Sequence, residues 1–205
     1  MVVAIKFINR SLGGNKPRIL IFQSDTGINS NATARAWKVI KNCGQNCYHP
    51  FFYSTDFEIG LGDEFGNYSP RQRASQGCLF TVTACAVGRQ LACRRSFANS
   101  QRIGLRNDMS RGAVNAHIYS CGRILATKNA VAPGQMVIFE FKPTLSICVA
   151  PQAEEGMDVD AKFIDGKITE LPLSGLRSAD IVMTGCDTGS GARNYTFAVE
   201  NIRKI

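Results

Sequence analysis

The sequence predicts an all-β protein, a single antiparallel β-sandwich domain over residues 1–205, with a closed β-barrel as the alternative. Three observations carry this. Apolar residues recur with period two, turn residues fall about every eight to twelve positions, and no strand–helix–strand spacing is present. A length of 205 residues suits one β domain, and 44% hydrophobic with 20% charged residues is ordinary for a globular chain. No apolar stretch approaches the roughly 18 residues that cross a bilayer as a helix.

Val3, Ile5 and Phe7 alternate with Ala4 and Lys6, which gives a first strand. The turn-forming stretch 11–17 leads to the apolar run Ile19–Phe22, a second strand. Around Ala36–Lys41 a strand puts Trp37 and Val39 on one face and Lys38 on the other, although a short helix fits the same residues. Residues 51–59 read as one apolar pattern followed by a loop or hairpin over 60–70. Residues 77–87 give the clearest strand, with Cys78, Phe80, Val82 and Ala84 sharing a face. Residues 113–119 and 124–127 pair across Ser120-Cys121-Gly122-Arg123, and Pro133-Gly134 marks another turn. Strands over 135–142 and 145–149 follow. Asp165-Gly166 suits a tight hairpin turn, residues 171–178 are the one helical candidate, and Tyr195, Phe197 and Val199 alternate in a last strand.

Ile8-Asn9-Arg10-Ser11, Ile21-Phe22-Gln23 and Ala36-Trp37 together resemble the opening of the rhizosphere-expressed RhiA-type proteins of rhizobia, over about the first fifth of the chain. The resemblance implies an abundant soluble β protein without an assigned activity. It transfers no functional residue.

The first residues lack the charged, apolar and small-residue succession of an export signal, so a cytoplasmic location is expected, with unconventional export left open. In that compartment the eight cysteines, Cys43, Cys47, Cys78, Cys85, Cys93, Cys121, Cys148 and Cys186, remain mostly thiols. In an oxidising setting all eight are disulfide candidates of unknown pairing.

Metal binding is the sharpest chemical option. Cys43, Cys47 and His49 lie within seven residues, and His117 and Cys121 straddle a second turn. Four of these five suit tetrahedral zinc. The Cys-x3-Cys spacing is looser than a zinc knuckle and no second Cys-x2-Cys pair occurs, so thiols or a disulfide compete and no cofactor is expected. A nucleophile elbow is absent, and the glycine-rich loop 185–191 precedes a strand instead of the helix of a phosphate-binding loop. The expectation is therefore a protein that is not an enzyme.

Charge points to partners. Arg89, Arg94, Arg95, Arg102, Arg106 and Arg111 place six cations within 23 residues against the single acid Asp108. Residues 154–170 hold Glu154, Glu155, Asp158, Asp160, Asp165 and Glu170 against Lys162 and Lys167. Opposite patches that meet between copies predict self-association into an oligomer or filament. The alternative is a ligand-binding module. Its arginines would take nucleic acid or another anionic surface, or a lectin-like site would use Trp37, Tyr48, Tyr53 and Tyr68 to hold carbohydrate.

Overall fold

The computed structural model describes residues 1–12, 16–27, 33–86, 88–96, 101–187 and 193–205. Seventeen strands follow one another: β1 (Val2–Asn9), β2 (Ile19–Phe22), β3 (Thr33–Ala34), β4 (Lys38–Ile40), β5 (Tyr48–Ser54), β6 (Phe57–Gly62), β7 (Gln72–Ala74), β8 (Cys78–Cys85), β9 (Gly88–Ser96), β10 (Arg102–Asn107), β11 (Val114–Ser120), β12 (Arg123–Val131), β13 (Met136–Glu140), β14 (Thr144–Val149), β15 (Asp165–Pro172), β16 (Leu176–Asp187) and β17 (Arg193–Lys204). A single 3-10 turn, Ala161–Phe163, is the one helical element among the described residues. Among the described residues no helix is long and apolar enough to cross a membrane.

The strands form four open sheets, and none of them closes into a barrel. Among the described residues the strand pairs are antiparallel except β1 with β16 and β8 with β10. The chain divides into two compact units that interleave in sequence. Met1–Gln23, Arg35–Thr55 and Pro143–Ile205 make the first, and Ser24–Ala34 with Asp56–Lys142 make the second. Each unit has two sheets of its own, and the chain is all-β as the sequence predicts.

The first unit holds the sheets β17-β16-β1-β5 and β15-β14-β2-β4. Alternation along β1 sends Val3, Ile5 and Phe7 inward, where they are at most 2% exposed. Trp37 lies between the two sheets, edge-on to Tyr53 of β5 at 4.9 Å between ring centroids and 6.1 Å from Phe51. Tyr53 is fully buried, and its hydroxyl donates to Gln23 Oε1, which satisfies the one polar atom that its burial strands. Lys38 departs from the expected polar face. It is buried, with Nζ 5.7 Å from the centre of the Phe51 ring, because its stem packs among apolar neighbours while the ammonium lies over an aromatic face.

The second unit holds the sheets β3-β12-β11-β6-β7 and β13-β10-β8-β9. Phe80, Val82, Ile103, Leu105 and Phe139 fill its interior, and Phe57 of β6 meets Phe141 at 5.2 Å. β11 and β12 join through a two-residue turn at Cys121 and Gly122, with φ of 49° and 77°. Positive φ at both positions matches the twist of the flanking strands.

Three local expectations change. Residues 51–59 are two strands, β5 and β6, broken at Ser54-Thr55-Asp56 and assigned to different units. Gly60 and Gly62 are strand residues of β6, paired with His117 and Asn115 of β11, and glycine is required at position 62 because a Cβ there would come within 2.6 Å of His117 Nε2. Asp165-Gly166 opens β15 directly after the 3-10 turn, and residues 171–178 run from β15 into β16 through a tight turn at Gly175 (φ 66°), without a helix.

Candidate anion-binding face

The outer face of β13-β10-β8-β9 collects part of the arginine cluster. Leu79, Thr81 and Thr83 alternate with Phe80 and Val82 and so share the opposite face of β8, where Leu79 and Thr83 are half-buried and Thr81 is buried at 8% exposure. Gly104 pairs with Leu79, and Arg106 pairs with Thr81, which puts Arg106 on that same outer face. Between the pairs Leu79–Arg95 and Phe80–Cys93 the register shifts by one residue, and the extra residue in β9 is Arg94. A bulge of this kind re-aims a side chain. Arg94 and Arg106, with Leu79, Thr81, Thr83 and Asp108, line a pocket of about 260 Å³.

Within the pocket Arg106 Nε forms an ion pair with Asp108 Oδ1 at 2.7 Å, which restrains the guanidinium and leaves its other N–H groups for a ligand. Arg94 supplies the second cation, and Thr83 with the more buried Thr81 completes the polar lining. Nearby, Arg102 Nε meets Glu140 Oε2 at 2.9 Å, across the β10–β13 pair. Arg89 sits at the far end of β9 opposite Ala84 and lends a minor share to holding the Asp63 carboxyl below its usual range, chiefly an effect of Asn67 hydrogen bonds. Arg111 is exposed on the connection between β10 and β11. The side chain of Arg95 and the residue Phe97 lie outside the described residues.

The acidic window is different in kind. Glu154 pairs with Arg18 and Lys41, and the Lys41 contact, then Arg18, holds its carboxyl below the usual carboxylate range. Asp158 meets Arg35 at 3.1 Å, Asp160 meets Lys162 at 2.7 Å, and Glu155 accepts from the Val39 amide. Glu154, Asp158 and Asp160 thus already answer cations of their own unit.

The metal candidates fall into two groups. Cys43, Cys47 and His49 lie in the first unit, at the turn before β5 and within it, whereas His117 and Cys121 lie in the second. His117 is packed beneath Tyr68 at 5.4 Å, and its Nδ1 hydrogen-bonds Thr127 Oγ1 at 2.9 Å. Among the described residues no group of three or more His, Cys, Asp or Glu side chains is placed to hold a metal ion. All eight cysteines stand as thiols. Burial pushes the Cys148 thiol up to about 12, and burial followed by its neighbour Cys47 raises that of Cys43. Of the carbohydrate candidates, Trp37 and Tyr53 are core residues, and Tyr48 and Tyr68 are exposed.

The largest feature hidden from the sequence is a buried ion pair in the second unit. Lys128 Nζ lies 3.1 Å from Asp25 Oδ2, with side chains 3% and 0% exposed. Asp25 Oδ1 accepts from the amides of Glu140 and Gly27 at 2.8 and 2.9 Å. The Lys128–Asp25 contact is electrostatic and not an aligned hydrogen bond, since neither Nζ nor Oδ2 has a hydrogen-bond partner. Nζ also sits 5.3 Å from the Phe139 ring centre. No protein-family model, curated protein or solved structure matches this chain.

Proposed function

We propose that the protein is a non-enzymatic binding module whose second unit takes the phosphate backbone of a nucleic acid on the outer face of β13-β10-β8-β9. The observation that carries this reading is the pocket that Arg94 and Arg106 line together with Thr81 and Thr83. Guanidinium groups engage phosphate through paired N–H donors, and the pocket lining holds no aromatic side chain for stacking bases. Binding is therefore driven by counterion release and is indifferent to sequence.

Anisotropy of labelled single-stranded and duplex oligonucleotides at rising salt tests it. The expected result is micromolar or weaker binding that falls steeply with salt, and a slope that drops by roughly 0.9 for each arginine removed from phosphate contact on duplex. Binding that ignores salt, or that survives Arg94→Ala with Arg106→Ala unchanged, contradicts it.

A second reading, self-association, rests on the first unit. In β17-β16-β1-β5, Phe52 pairs with Ala4 and Tyr48 with Ile8, so they share the outer face, and they are 65% and 67% exposed. β5 ends the sheet, and Pro50 within it discourages strand-to-strand addition, which favours contact through the face. The acidic window supports this less, because three of its acids, Glu154, Asp158 and Asp160, already pair with cations of the same unit. Light scattering on eluting protein at low and high salt decides: a concentration-dependent oligomer lost in Phe52→Glu supports the reading, and a monomer at every concentration removes it.

A further inference from the structure

We propose that Cys78 and Cys93 form a reversible disulfide that clamps the β8–β9 bulge and thereby fixes Arg94 in the anion pocket. Cys93 lies opposite Phe80, and Cys78 lies two residues before Phe80, so the two cysteines are diagonal neighbours on one face of an antiparallel pair. An undistorted diagonal is too wide for a disulfide. Here the register shift at Arg94 closes it, and Cys93 Sγ donates to Cys78 Sγ at 2.9 Å. A further approach of about 1 Å reaches bonding distance. Cys93 is exposed, and Cys78 is half-buried, so one sulfur is open to an oxidant and the other is held behind it. Burial, then the contact with Cys93, pushes the Cys78 thiol up to about 11, so the exposed Cys93, and not Cys78, makes the first attack.

The oxidant is an organic disulfide such as oxidised glutathione. The Cys93 thiolate attacks one of its sulfurs, forming a mixed disulfide and expelling one thiolate. Cys78 then attacks the Cys93 sulfur and expels the second. The two cysteine protons end on the two released thiols. The cysteine pair loses two electrons, and the oxidant is reduced to two thiols.

Arg94 is the residue immediately after Cys93 and is itself the inserted residue of the bulge. A covalent tie at Cys93 therefore restricts the backbone that aims the Arg94 guanidinium. This second step rests on the nucleic-acid reading of the pocket; the disulfide does not.

The test uses the full chain in oxidised and reduced glutathione, quenched by alkylation and digested without reduction. The expected product is one peptide linking Cys78 to Cys93, with slowed hydrogen exchange at the amides of residues 92–95 in the oxidised form. Oligonucleotide binding then tightens by roughly fivefold on oxidation, the order of one ordered arginine contact, and Cys93→Ser abolishes the response. Independent alkylation of Cys78 and Cys93 under oxidising conditions, or linkage of either to another cysteine, overturns the proposal. So does a Cys78–Cys93 link that leaves exchange at 92–95 unchanged. If the link forms and slows that exchange while neither form binds oligonucleotide, the clamp stands and the reading of the pocket falls.

Discussion

The two units fill similar two-sheet architectures by different means. The first packs Trp37, Phe51 and Tyr53 together, with the buried Lys38 ammonium over the Phe51 ring. The second places Lys128 against Asp25 inside its apolar shell. Apolar packing tolerates a substitute of similar volume. A buried charge pair does not tolerate the loss of one member, because the remaining charge keeps the whole cost of desolvation. The contrast extends outward, since the first unit exposes Tyr48 and Phe52 on one sheet face and the second exposes arginines.

The largest effect should come from breaking the pair. Asp25→Ala is expected to cost about 3–5 kcal/mol in urea unfolding, since it strands Lys128 and also removes the acceptor for the Glu140 and Gly27 amides. Lys128→Met with Asp25→Asn should recover most of that loss, because the amide oxygen still accepts from the backbone while both charges are gone. If the double variant is as unstable as Asp25→Ala, the pair is not the source of the cost.

In the first unit, Trp37→Ala is expected to cost about 3–5 kcal/mol and Trp37→Phe under about 2, a graded response to lost volume. Equal losses would erase the contrast between the units. A smaller effect is expected at Gly27, where a Cβ would meet the Ile138 carbonyl oxygen at 2.0 Å. Gly27→Ala should cost about 1–3 kcal/mol through forced backbone movement.

The pH response sharpens the comparison further. Cys148 of the first unit is buried and its thiol is raised to about 12, above its value in the unfolded chain. The neutral thiol is the folded form, so its stabilisation is intact below about pH 9 and is lost as pH climbs toward 12. The slope is at most about 1.4 kcal/mol per pH unit. Cys148→Ala should flatten that alkaline decline, measured as urea midpoints between pH 8 and 11, and an unchanged slope would assign the decline elsewhere.

Much of this architecture is legible where burial on one face imposes strict alternation. Val3, Ile5 and Phe7 in β1 and Phe80 and Val82 in β8 are inward as their spacing requires, and the turn at Cys121-Gly122 follows from its glycine. The interleaving of the units is not legible, because the chain passes between them at ordinary turns such as Ser54-Thr55-Asp56 without a linker composition. The Lys128–Asp25 pair has no local signature, since its members come from distant segments and each reads alone as a surface charge. At the candidate face the arginine run was visible, but which arginines converge depends on register. The bulge at Arg94 and the pairing of Arg106 with Thr81 select two of six. The acidic window looked like a docking patch only because its partners Arg18, Arg35 and Lys41 lie far away in sequence.

The outer face of β13-β10-β8-β9 is the surface on which the protein is proposed to meet its partner. Hydrogen exchange of the full chain, with and without a saturating single-stranded oligonucleotide at low salt, tests this most directly. Protection confined to β8, β9 and β10 around Thr81, Arg94 and Arg106 is the predicted footprint. Protection at β1 and β5 instead, or none anywhere while the oligonucleotide is bound, would contradict it.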